Sequence, residues 1–155
     1  MTHEDYKKAM LWKMVMETKA LGAQCVAQCK DYCKKVRWYS CGAFGWSAYT
    51  WRLNRAKTFA WKKSVVWFSV VPVWSVVIFK PYASLEISKP WSGKRSPWKL
   101  WKHWHVAIVD YIDDSWVIRT IEQNGGQWDG DWLNGDEIRL RGYKGKASVA
   151  GFILK

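Results

Sequence analysis

His105-Val106-Ala107-Ile108-Val109-Asp110-Tyr111-Ile112, followed by Asp113-Asp114-Ser115 and then by Val117-Ile118-Arg119-Thr120-Ile121-Glu122, is the stretch on which the fold depends. Both flanking runs are rich in β-branched residues, which fit a pleated, half-buried surface. The Asp-Asp-Ser cluster between them favours a turn, because short polar side chains there hydrogen-bond to their own backbone. The reading is a β-hairpin. A turn centred on Asp113-Asp114 sets His105 across from Glu122, and a shift of two residues sets Asn124 there instead. In either register His105, Glu122 and Asn124 share one face, since strand side chains alternate.

Outward from the hairpin, 64–71, 75–79, 137–140 and 148–154 are further β-rich runs bounded by turn residues. The first third of the chain has a different period. Met10, Leu11, Met14 and Val15 form the apolar side of a helix over 4–19, Gly22 is a stop, and a second helix covers 24–36. A short helix is expected at 47–54, a long basic connection at 80–102, and a loop from Asn124 to Gly135. Helices followed by an antiparallel sheet make an α+β domain. With no linker in view, the expectation is one domain over 1–155, its core at about 14–154.

Composition bounds the rest. Apolar residues make up 49% and charged residues 25% of the 155, ordinary for a globular protein. No stretch approaches the ~18 uninterrupted apolar residues of a membrane span. The first residues carry Glu4 and Asp5 and no apolar run, so no secretory signal is read there. The net charge of +12 favours polyanionic partners such as nucleic acid, anionic membranes or bacterial walls. Cys25, Cys29, Cys33 and Cys41 are expected as thiols, because the first three repeat every four residues along one helix face, a poor geometry for disulfides.

Thiol catalysis needs a thiolate, an imidazole to generate it, and a polar group that fixes the imidazole. Cys25 falls at the start of the second helix, where free N–H groups and the positive end of the dipole stabilise a thiolate. Cys29 and Cys33, one and two turns deeper, read as small core residues. His105 has a carboxylate and an amide on its own face. His103 lacks such a neighbour and reads as a surface residue.

Gly22-Ala23-Gln24-Cys25-Val26, Trp104-His105-Val106-Ala107-Ile108-Val109 and Ile121-Glu122-Gln123-Asn124 resemble, in order and spacing, the three motif blocks of CHAP domains. These are the cysteine, histidine-dependent amidohydrolases/peptidases of phage endolysins and bacterial autolysins. The resemblance covers about 14–154. It implies a papain-like fold, with Cys25 as nucleophile, His105 as general base and then acid, Glu122 as orienting residue, and Asn124 assisting. Gln24 would join the Cys25 backbone N–H in an oxyanion hole. The implied reaction is cleavage of an amide bond in peptidoglycan, by a monomer without metal or cofactor. The enzyme would be an endopeptidase or an N-acetylmuramoyl-L-alanine amidase. It would reach the wall through a membrane lesion or in a virion. Some CHAP enzymes bind calcium through acids before the cysteine; no calcium site is carried over here.

Tryptophan departs from that pattern. The family has Gly before the histidine, where this chain has Trp104, and Pro-x-Gly-Asp before a buried strand, where it has Trp74. Gly45-Trp46-Ser47 repeats the oddity, and Trp numbers 14 of 155. Several of these positions, Trp46, Trp74 and Trp104 among them, are therefore suspected to be native glycines behind a recoded UGA codon. Converting all 14 would lift glycine to about twice its usual share, so some are genuine.

Other readings are weaker. Cys25, Cys29, Cys33 and Cys41 lack zinc-knuckle spacing, and Asp129-Gly130-Asp131 with Asn134 and Asp136 lacks the closing Glu of a calcium loop. The stretch 94–105 mixes cations with Trp, as a single-strand nucleic-acid groove does. A basic, aromatic-rich nucleic-acid-binding protein without catalysis is the alternative function.

Overall fold

The computed structural model describes residues 1–16, 25–37, 61–62, 74–81, 84–88, 95–99, 104–123, 137–144 and 149–153; of 61–62, 84–88, 95–99, 139 and 144 it describes the backbone alone. The segments expected as a strand at 64–71, a helix at 47–54 and a loop at 124–135 lie outside these residues, as do Gln24, Cys41, Trp46 and Asn124.

Helix α1 (His3–Met10) begins at a reciprocal cap: Thr2 Oγ1 accepts from the Asp5 N–H at 3.1 Å, and Asp5 Oδ2 accepts from the Thr2 N–H at 3.2 Å. It is shorter than the periodicity predicted. Leu11 is the C-cap, Trp12 takes a left-handed φ of 67°, and 13–16 follow without regular secondary structure. The Trp12 N–H then donates to the Ile138 carbonyl at 2.9 Å, and the Ile138 N–H to the Lys13 carbonyl at 2.8 Å. Backbone pairing with a strand terminus has taken the place of further helix. Helix α2 (Cys25–Tyr32) continues into a π-helical turn at Cys33–Arg37.

Among the described residues eight strands follow: β1 (Trp61–Lys62), β2 (Val76–Phe79), β3 (Ser84–Ser88), β4 (Arg95–Lys99), β5 (His105–Ile112), β6 (Ile118–Glu122), β7 (Arg139–Lys144) and β8 (Val149–Ile153). They form one sheet in the order β1-β8-β2-β5-β6-β7-β3-β4, every neighbour antiparallel. Helices packed on an antiparallel sheet make the fold α+β, as expected. The expected connection at 80–102 is corrected in part, since it contains the hairpin β3–β4. Pro97, which argued against a strand, is accommodated because β4 lies at the sheet edge, where a missing N–H costs no ladder bond.

Alternation divides the apolar residues of the central strands between two faces. Val76, Ile78, Val106, Ile108, Ile121 and Ile153 cluster with Tyr6, Val26, Cys29 and Tyr32 of the helices. Val77, Phe79, Ala107, Val109, Ile118, Tyr143 and Phe152 form a second cluster. Each such side chain taken fully out of water contributes about 1.5–3 kcal/mol, so the hairpin β5–β6, buried on both faces, is the most firmly held part of the sheet.

The thiol expectation is corrected at one position: Cys33 is disulfide-bonded, whereas Cys25 and Cys29 are free. Helix-face spacing argued only against bridges within the Cys25–Cys29–Cys33 row, and it did not exclude one leaving that row.

Candidate active site

Cys25 is the first residue of α2, the end of a helix whose backbone N–H groups lack intrahelical partners. The helix is held against the sheet by Gln28, whose Nε2 donates to the Ile121 carbonyl at 3.3 Å. It is held too by Val26 and Cys29 in the core. This docking brings the partly exposed sulfur to the head of β5, where His105 is the first strand residue. The thiol hydrogen-bonds with the His105 side chain and receives the Val106 backbone N–H.

His105 is buried, and its ring stacks on Phe79, its cross-strand partner, with centroids 6.1 Å apart. Its Nε2 lies 3.2 Å from Glu122 Oε2, which leaves Nδ1 as the nitrogen for sulfur. The β5–β6 ladder pairs Ile108 with Ile121 and Val109 with Thr120, then shifts by one residue at a bulge before Tyr111. Of the two registers read from the sequence, this is the shifted one. Glu122 then reaches His105 diagonally along their common face.

Glu122 is almost wholly buried, and a buried carboxylate persists only with partners. Thr120 Oγ1 donates to its Oε2 at 3.1 Å, and the Tyr143 hydroxyl donates to its Oε1. Arg141 Nε lies 3.0 Å from the same Oε1. Sequence reasoning missed all three, although Thr120, Arg141 and Tyr143 occupy alternate strand positions on the Glu122 face; with β7 expected to stop at Leu140, Arg141 and Tyr143 fell beyond it.

Burial works against charge on both reacting groups, yet their mutual attraction prevails. Burial alone raises the Cys25 thiol, but the His105 charge, its hydrogen bond and the Val106 N–H bring it below its ordinary value. Burial alone lowers the His105 imidazole, but the Glu122 carboxylate and the Cys25 sulfur push it up to about 10. Both shifts bias the pair toward thiolate and imidazolium. One turn deeper, burial and the neighbouring negative charges of Cys25 and Glu122 push the Cys29 thiol up, leaving it neutral.

Such a constellation can attack an electrophilic carbon with a preformed thiolate and hand a proton to a leaving group from the imidazolium. No protein-family model, curated protein or solved structure matches the chain.

A second cluster of ligand-type groups lies elsewhere. His3, Glu4 and Asp110 bring potential metal-ligating atoms within 4.8 Å of one another. Both His3 nitrogens are already engaged, Nδ1 with the Tyr32 hydroxyl at 3.0 Å and Nε2 with Asp110 Oδ1 at 3.2 Å. The Lys7 ammonium lies 2.6 Å from Asp110 Oδ2, where it would repel a cation. The cluster reads as a buried tie between α1, α2 and β5. Of the other suspected positions, Trp74 has a left-handed φ of 76°, and Trp104 does not share it.

Proposed function

We propose that the chain is a cysteine hydrolase of the CHAP type that cleaves an amide bond of bacterial peptidoglycan. The supporting observation is the row Cys25–His105–Glu122: a sulfur at a helix N-terminus, an imidazole beside it, and a buried carboxylate 3.2 Å behind. In this reading the Cys25 thiolate attacks the amide carbonyl, and the His105 imidazolium protonates the departing amine. The resulting thioester is hydrolysed by a water that His105, now neutral, deprotonates. Glu122 holds the ring and stabilises its charge. The Cys25 backbone N–H, at the head of α2, is available to the developing oxyanion.

The wall substrate rests on the resemblance of the motif blocks and on the charge of +12, which suits the wall's anionic polymers. Among the described residues no helix is long and apolar enough to cross a membrane. Release through a membrane lesion, or carriage in a virion, belongs to the same proposal.

The test is digestion of purified bacterial walls by the wild type and by Cys25→Ala. The reading requires loss of turbidity with new amine termini from the wild type and none from the variant. Lysis that survives the substitution removes thiol chemistry. Inert wild type together with salt-sensitive DNA binding turns the assignment to the nucleic-acid reading.

A further inference from the structure

Among the described residues, three other than glycine have a left-handed φ: Trp12 at 67°, Trp74 at 76° and Trp116 at 61°. Left-handed backbone crowds a Cβ against the carbonyl, at about 1–2 kcal/mol per residue. Where a side chain is present, Asn and Asp are the usual occupants, and a bulky one is an outlier. Here every such residue is tryptophan.

The local settings are those that call for glycine. Trp12 follows the Leu11 C-cap of α1, the place where helices end with a left-handed residue, most often glycine. Trp116 closes the β5–β6 hairpin: its N–H donates to the Asp113 carbonyl at 2.9 Å, and the Asp113 N–H donates to the Val117 carbonyl at 3.1 Å. That is a three-residue loop, a turn followed by a left-handed position that glycine normally fills. Trp74 is the turn residue that leads into β2, its N–H bound to the Val109 carbonyl at 2.7 Å.

At 12 and 116 side-chain burial does not explain the choice. Trp12 keeps 55% of its surface in solvent and Trp116 43%. Indoles this exposed recover little of the energy that recommends tryptophan for cores. The Trp74 ring stacks on His3 with centroids 5.2 Å apart.

We infer that positions 12, 74 and 116 are glycine in the protein as its own cell makes it, each specified by UGA, a codon read as tryptophan in some genetic codes and as glycine in others. The inference is independent of the proposed activity, because it rests on backbone angles at three turns. It extends the suspicion raised by motif comparison at Trp74 to two turns that no motif touches. It does not reach Trp104, whose φ is not left-handed.

The gene and the native protein decide it. UGA at all three codons, and glycine masses for the peptides spanning 12, 74 and 116 from the natural source, are the expected result. UGG at any one codon, or a tryptophan mass at any one position, overturns it. A recombinant comparison reads the backbone directly: Trp12→Gly and Trp116→Gly, made singly in the full chain, should each raise the thermal midpoint by a few degrees. Ordinarily glycine lowers it by enlarging the unfolded ensemble, so a fall in both variants also counts against the inference.

Discussion

At the scale of single residues, the site is governed by how much charge Glu122 lends to His105. With the thiol lowered from its ordinary value and the imidazole raised to about 10, the pair is biased toward thiolate and imidazolium. In acid the thiolate takes up a proton and reactivity falls; in alkali the imidazolium loses the proton that the leaving amine needs. Wall hydrolysis should therefore trace a bell whose alkaline limb lies near 10. Alkylation of Cys25 by iodoacetamide, which needs no imidazolium, should show only the acid limb and stay fast well below the thiol's ordinary 9.0. Peptide mapping isolates the Cys25 adduct, and a rate that climbs only above that value contradicts the ion pair. Glu122→Gln removes the charge and the charge-assisted hydrogen bond that raise His105, so the alkaline limb should move down from about 10. Each unit of that movement costs about tenfold in imidazolium fraction on the alkaline side. Tyr143→Phe is gentler: the ring still packs on Phe79, and only the donor to Glu122 is lost. An under-satisfied buried carboxylate should cost about 1–3 kcal/mol, read by urea unfolding.

At the scale of elements, α1 is fastened through polar groups as well as apolar ones. Asp110 of β5 accepts from Lys7 and pairs with His3, which in turn reaches Tyr32 of α2. Farther along, the Gln123 side chain accepts from the Val15 N–H at 2.6 Å and donates to the Val15 carbonyl at 2.9 Å, copying a ladder pair. Asp110→Ala breaks the first fastening and should destabilise the fold by about 2–3 kcal/mol. Thermal or urea unfolding measures this, and a change below about 0.5 kcal/mol would show that α1 is held by Tyr6 and its apolar neighbours alone. Such ties explain what was legible beforehand. The hairpin β5–β6 could be read because two β-branched runs and an Asp-Asp-Ser turn agree locally. Cys25 and His105 could be read because one begins a helix and the other a strand. Nothing local marks His3 as buried, since its partners lie 29 and 107 residues away. The hairpin β3–β4 was hidden by basic residues and a proline that an edge position tolerates. The end of α1 was hidden because tryptophan at 12 carries no stop signal, whereas glycine there would have carried one.

For the molecule as a whole, the excess of 25 basic over 13 acidic residues sets the long-range field. A field of that sign concentrates the protein on a polyanionic surface before any specific contact forms. Ions screen such attraction over about 10 Å at 0.1 M, so salt separates it from chemistry at the thiolate, which is held at short range. Cys25→Ala, which on the proposed mechanism cannot digest its support, permits the comparison. Its sedimentation with purified walls should weaken steeply between about 50 and 200 mM salt, and walls stripped of their anionic polymers should retain less of it at the lower concentration. The wild type, meanwhile, should turn over a small soluble wall peptide at a rate that changes little over the same range. Binding that ignores both salt and the loss of wall polymer would assign recognition to groups near Cys25, and the surplus of lysine and arginine would then have no part in finding the substrate.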